Sequence, residues 1–117
     1  MNAVFYLKTC STCIRILKEL ELPEGFQLFD IKSTPITSEQ LEHMFSLSGS
    51  YESLFSKRAQ LYKAYDLKNK DLGEMDYKNY ILEHYTFLKR PVIIVGNAIF
   101  IGNSKATVEL AKQKIHE

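Results

Sequence analysis

The chain opens on an unbroken apolar run, Ala3-Val4-Phe5-Tyr6-Leu7, too short for a helix and without polar alternation, which reads as a buried strand. From Ser11 the spacing changes. Ile14, Leu17 and Leu20 recur at helical intervals, predicting a helix from Ser11 to about Leu22 that Pro23-Glu24-Gly25 brings to an end. Phe26-Gln27-Leu28-Phe29-Asp30-Ile31 is a second short apolar-rich run and a second strand. Two strands separated by one helix form a β-α-β unit, which implies parallel strands joined by a right-handed crossover.

A loop with Pro35 follows, and then Thr37-Ser38-Glu39-Gln40, the pattern of a capping box. Leu41, Met44 and Phe45 supply one face of the helix it starts, and Gly49 terminates it. Between Tyr51 and Tyr85 no segment has strand character. Leu54, Leu61, Leu67, Leu72, Tyr77, Ile81 and Leu82 predict two or three shorter helices, broken at Lys68-Asn69-Lys70-Asp71 and Gly73. Tyr62, Tyr65, Tyr77 and Tyr80 fall at helical spacing and read as half-buried packing residues. The pattern then returns to β. Val92-Ile93-Ile94-Val95 and Ala98-Ile99-Phe100-Ile101 are separated only by Gly96-Asn97, the signature of an antiparallel hairpin with a primed turn. A last helix follows Gly102, with Asn103 or Ser104 as its cap and Val108, Ala111 and Ile115 as its buried stripe.

At 117 residues the chain has the length of one domain. The pattern divides it into a core at about 1–32 and 86–117 with a helical insertion at about 37–85. With 45% hydrophobic residues it can bury a core without disulfide staples. The formal net charge is +1 and the two signs interleave, so no basic stripe points to nucleic acid. The apolar run at the N-terminus is too short for a signal peptide and nothing reaches the length of a membrane span, so a cytoplasmic location is expected.

That location changes the meaning of Cys10-Ser11-Thr12-Cys13, which holds the only two cysteines. In a reducing compartment a C-x-x-C points to reactivity and away from a structural staple. It stands where a strand feeds a helix. There the helix dipole and free backbone N–H groups stabilise a thiolate at Cys10. Cys13, one turn on, can attack a mixed disulfide formed at Cys10. Two thiols and the scattered His43, His84 and His116 do not make up a zinc ligand set, so no metal is expected. The order β-α-β, helices, β-β-α with Cys10 at the first junction is that of an α/β thioredoxin-like fold. That fold places a cis-proline before its third strand, and Arg90–Pro91 is expected to be cis.

With Cys10-Ser11-Thr12-Cys13, Arg58 in Phe55-Ser56-Lys57-Arg58, Leu88-Lys89-Arg90-Pro91-Val92-Ile93-Ile94 and Gly102, the chain resembles the arsenate-reductase/Spx family over nearly its full length. The resemblance implies that Cys10 is the nucleophile that attacks arsenate and that Arg58 and Arg90 hold the oxyanion. It also implies Pro91 as the active-site cis-proline, with no cofactor beyond glutathione, glutaredoxin or thioredoxin as electron donor. Lys8 and Lys105 are auxiliary charges. Three departures stand out. Arsenate reductases of the glutaredoxin-coupled type carry a third arginine where this chain reads Gly102-Asn103-Ser104-Lys105, a histidine where it has Tyr6, and usually no cysteine at the position of Cys13. Cys13 is instead a feature of Spx-type proteins, redox-responsive regulators that bind the C-terminal domain of the RNA polymerase α-subunit. That partner is the implication of the second reading. Most Spx-type proteins also extend into a basic tail that is absent from this sequence.

Overall fold

The computed structural model describes residues 1–117. The chain forms two compact units, one from Met1–Thr34 with Arg90–Glu117 and the other from Pro35–Lys89.

The first unit is built on a four-stranded sheet of β1 (Asn2–Tyr6), β2 (Gln27–Asp30), β3 (Val92–Val95) and β4 (Ala98–Ile101), in the order β2-β1-β3-β4. β1 and β2 are parallel, with Tyr6 opposite Asp30, and β3 runs antiparallel to both β1 and β4. The mixed α/β architecture is the one expected. Helix α1 (Ser11–Leu20) makes the crossover between β1 and β2, and the final helix, Lys105–Ile115, packs beside it. Val4 and Ile93 from the sheet, Ile16 and Leu20 from α1, and Val108 and Ala111 from α5 (Lys105–Ile115) form one buried cluster.

Two details of α1 differ from expectation. Its buried positions are Cys13, Ile16 and Leu20, while Ile14 is only half-buried. The run Ile14-Arg15-Ile16-Leu17 offers two overlapping stripes, and the sheet takes the one containing Cys13. The helix also stops at Leu20, because Glu21 turns into the left-handed region at φ 50° and closes the last turn onto the Lys18 carbonyl. The hairpin between β3 and β4 has the expected register, Val95 opposite Ala98. Gly96 has φ +62° and Asn97 does not share a positive φ, the II′ pattern in which glycine stands first. The cap of α5 is Ser104, whose hydroxyl accepts from the Thr107 N–H.

The second unit contains α2 (Ser38–Ser48), α3 (Gln60–Ala64) and α4 (Glu74–Glu83), with single 3-10 turns at Glu52–Leu54, Leu67–Asn69 and Tyr85–Phe87. The capping box of α2 is complete: the Gln40 N–H donates to Thr37 Oγ1 and the Thr37 N–H to Gln40 Oε1, each at 3.0 Å. Gly49 ends the helix at φ +78°. Leu41 and Met44 are buried but Phe45 is exposed, stacked on Tyr51 with ring centroids 4.4 Å apart. The core of this unit is aromatic. Phe55 stacks on Phe87 at 5.3 Å and meets Tyr62, Tyr77 and Tyr80 at its edges and faces. Of the tyrosines expected to be half-buried, Tyr77 is buried and Tyr65 exposed, while Leu82, read as an apolar face residue, points outward. No helix is long and apolar enough to cross a membrane.

Candidate functional site

The sheet geometry gathers the first unit's candidate residues at one edge. The parallel pairing of β1 and β2 brings their C-terminal ends together at Tyr6 and Asp30. The antiparallel register Phe5 to Val92, carried two residues further, runs Pro91 and Arg90 alongside Tyr6 and Leu7. At the same edge β4 ends opposite Val92, and the Gly102 N–H donates to the Pro91 carbonyl at 2.9 Å. The Arg90–Pro91 bond is cis, the isomer expected from the sequence.

Cys10 is delivered by a reverse turn. Its N–H donates to the Leu7 carbonyl at 3.0 Å, with Lys8 and Thr9 at the corner, and Cys10 is then the N-cap of α1. Its backbone is extended, φ −96° and ψ 112°, as a cap residue requires. The sulfur forms no cap hydrogen bond of full geometry, yet the N–H groups of Cys13 and Thr12 lie close enough to favour a negative charge on it. No acidic residue stands in the first turn to oppose that charge.

The two thiols are differentiated by their surroundings. Partial burial pushes the pKa of Cys10 up, but the Cys13 N–H, the Cys13 thiol, the Thr12 N–H and the Arg90 charge together outweigh it. The net result lies below the ordinary thiol value. Cys13 is 1% exposed, and burial first, then the charge and hydrogen bond of Cys10, push it up to about 11 despite the Leu7 N–H facing its sulfur. The site therefore pairs one sulfur held below the ordinary thiol value with a neighbour that stays protonated at neutral pH.

Arg90 is half-buried and takes part in none of the ion pairs, so its guanidinium is uncommitted beside the sulfurs. Lys105 opens α5, which leaves the same edge of the sheet. It is exposed, as is Lys8. Cys10, Cys13, Arg90 and Pro91 are thus brought together within the first unit.

Arg58 belongs to the second unit, in an exposed turn, with no hydrogen bond or ion pair of its own. The segment before it is firmly held. Phe55 bridges Leu88, the Ser56 N–H donates to the Phe87 carbonyl at 2.7 Å, and the Lys89 N–H to the Leu54 carbonyl at 2.8 Å. Glu74 accepts the N–H groups of Tyr51 and Glu52 at 2.7 and 3.1 Å, and Glu52 accepts from Lys57 Nζ at 2.9 Å and Tyr77 Oη at 3.2 Å. Glu52, Glu74 and Asp30 escape sequence reasoning. Glu74 finds its partners Tyr51 and Glu52 more than twenty residues away, as Glu52 does Tyr77, and Asp30 is visible only as the one charge in an apolar run.

The ArsC family profile matches residues 5–111. This protein belongs to the ArsC family. Among solved structures it is similar to a possible arsenate reductase from Streptococcus mutans, at 26% identity and a TM-score of 0.72, with 94% of this chain and 97% of that one covered. It is also similar to an arsenate reductase from Vibrio cholerae, at 18% identity and a TM-score of 0.76, covering 96% and 95%. An arsenate reductase related protein from Brucella melitensis shares 18% identity with a TM-score of 0.67, covering 93% and 92%. No curated protein matches the chain significantly. These neighbours share the thioredoxin-like fold described above.

Proposed function

We propose that this ArsC-family protein is a thiol oxidoreductase that reduces a tetrahedral oxyanion of the arsenate type, with Cys10 as nucleophile and Cys13 as resolving thiol. The observation that carries the reading is the split between the two sulfurs, one below the ordinary thiol value and the other at about 11, beside an unpaired arginine. A value below the ordinary one enlarges the thiolate fraction with which Cys10 attacks, and a value of about 11 keeps Cys13 protonated until it is needed.

In the first step the Cys10 thiolate forms a sulfur–arsenic bond at As(V), and an arsenate oxygen leaves as water after protonation. Cys13 then loses its proton and attacks the Cys10 sulfur. The sulfur–arsenic electron pair stays on arsenic, which departs as arsenite, and a Cys10–Cys13 disulfide remains. Two electrons pass from two thiols to one arsenic, and an external thiol or dithiol, such as glutathione, glutaredoxin or thioredoxin, restores the thiols. Arg90 supplies a forked donor to the oxyanion, the role that the family resemblance also implies for Arg58. Lys8 and Lys105 add charge without a fork.

A second reading is favoured by the proximity of the two free thiols, each of which shifts the other's pKa, since such a pair closes to a disulfide with a simple oxidant and needs no oxyanion. The protein is then a cytoplasmic redox sensor, with the C-terminal domain of the RNA polymerase α-subunit as its partner. An arsenate-reduction assay on wild type and Cys10→Ser, with glutathione–glutaredoxin and separately with thioredoxin, separates the two. Turnover that disappears in Cys10→Ser supports the reductase. A Cys10–Cys13 disulfide formed with peroxide in a protein that never turns over arsenate supports the sensor.

A further inference from the structure

We propose that Asp30 is the positioning residue of the nucleophile: its carboxylate clamps the turn that sets Cys10 at the start of α1. The inference rests on the reading of Cys10 as an activated thiol. The turn Leu7–Cys10 uses the Leu7 carbonyl and the Cys10 N–H for its own closure. The N–H of Lys8, at the first corner, has no partner inside the turn. Asp30 Oδ1 accepts it at 3.2 Å, reaching across from the end of β2, where the strand register places Asp30 beside Tyr6.

The carboxylate is itself held. Ser33 Oγ donates to Asp30 Oδ2 at 3.0 Å and the Lys32 N–H reaches Oδ1 at 3.5 Å, while the Ile31 N–H donates to the Tyr6 carbonyl at 2.9 Å. The end of β2 and the turn after β1 are therefore one hydrogen-bonded piece. The Lys8 N–H, and then Ser33 and the neighbouring N–H groups, hold the Asp30 carboxyl below its usual range, so it stays an acceptor wherever Cys10 is ionised. The functional consequence lies in the sulfur's environment. Cys10 is stabilised as a thiolate by the N–H groups of Thr12 and Cys13, and that stabilisation depends on where the turn delivers its Cα.

The sign of the effect separates positioning from a direct field. A carboxylate acting on Cys10 through its charge would raise the thiol's pKa, so removing it would lower that pKa. A clamp predicts the opposite for Asp30→Ala and little change for Asp30→Asn, whose amide oxygen still accepts the Lys8 N–H.

The test is the pH dependence of iodoacetamide alkylation at Cys10 in reduced wild type, Asp30→Ala and Asp30→Asn, with urea unfolding run in parallel. We expect Asp30→Ala to shift the Cys10 profile up by about half a unit, slowing alkylation roughly three-fold on its acid side, and Asp30→Asn to restore it. The Lys8 amide of wild type should also show protection in hydrogen exchange. An unchanged profile in a folded Asp30→Ala, a downward shift, an equal shift in Asp30→Asn, or a Lys8 amide exchanging as fast as an open turn would each overturn the clamp. Failure of the thiolate reading appears elsewhere, as a wild-type profile already at the ordinary thiol value.

Discussion

Cys10 and Cys13 lie close enough to set each other's pKa, and the two residues take opposite shifts from that proximity. Truncating Cys13 to Ala removes the side chain that lowers the Cys10 pKa but leaves the backbone N–H groups of α1 in place. Cys13→Ala should therefore keep a Cys10 that alkylates, with its profile moved upward, and should accumulate a mixed disulfide with glutathione in place of an internal one. Intact-mass spectrometry after peroxide and glutathione reads this directly.

The same split sets how the reduced protein's stability depends on pH. Cys10 binds its proton less tightly folded than unfolded, so its contribution is present above the ordinary value of 9.0 and is lost as pH falls through the lowered folded value. Cys13 binds its proton more tightly when folded. Its contribution is full below 9.0 and disappears as pH rises through about 11. Urea midpoints of the reduced protein should fall between pH 9 and 11 more steeply in wild type than in Cys13→Ala, which checks the sign.

Arg90 contributes charge and a fork, and the two can be separated. Arg90→Lys should leave the Cys10 profile close to wild type while raising the KM for arsenate roughly ten-fold, the cost of a lost charge-assisted hydrogen bond. Arg90→Gln should also move the Cys10 profile up, by less than Cys13→Ala does, because its charge stands last among the influences on that sulfur.

In the second unit two substitutions calibrate the fold. Thr37→Ala removes one half of the capping box of α2 and should cost about 1 kcal/mol. Phe87→Ala empties a fully buried position stacked on Phe55 and should cost about 3–5 kcal/mol. Urea unfolding of the two variants should rank them in that order.

Much of this molecule is written in local patterns. Gly96-Asn97 between two β-branched runs predicts the hairpin, and Thr37 with Gln40 predicts the start of α2, because each depends on residues a few positions apart. The placement of Cys10 at a strand–helix junction is legible for the same reason. The buried face of α1 is not, since Ile14, Ile16 and Leu17 allow two stripes and only contact with the sheet selects one. Nor is the early stop at Glu21, where a left-handed residue other than glycine ends the helix. Asp30 lies 22 positions from Lys8 and becomes a clamp only when β1 and β2 pair in their observed register.

The most direct measurement is the pH profile of alkylation in the reduced wild-type protein, resolved by peptide mass spectrometry into Cys10 and Cys13. The account predicts half-maximal reactivity at Cys10 below 9.0, with Cys13 unmodified until the pH approaches about 11. Two sulfurs reacting together at the ordinary thiol value would contradict an activated Cys10 and the mechanism built on it.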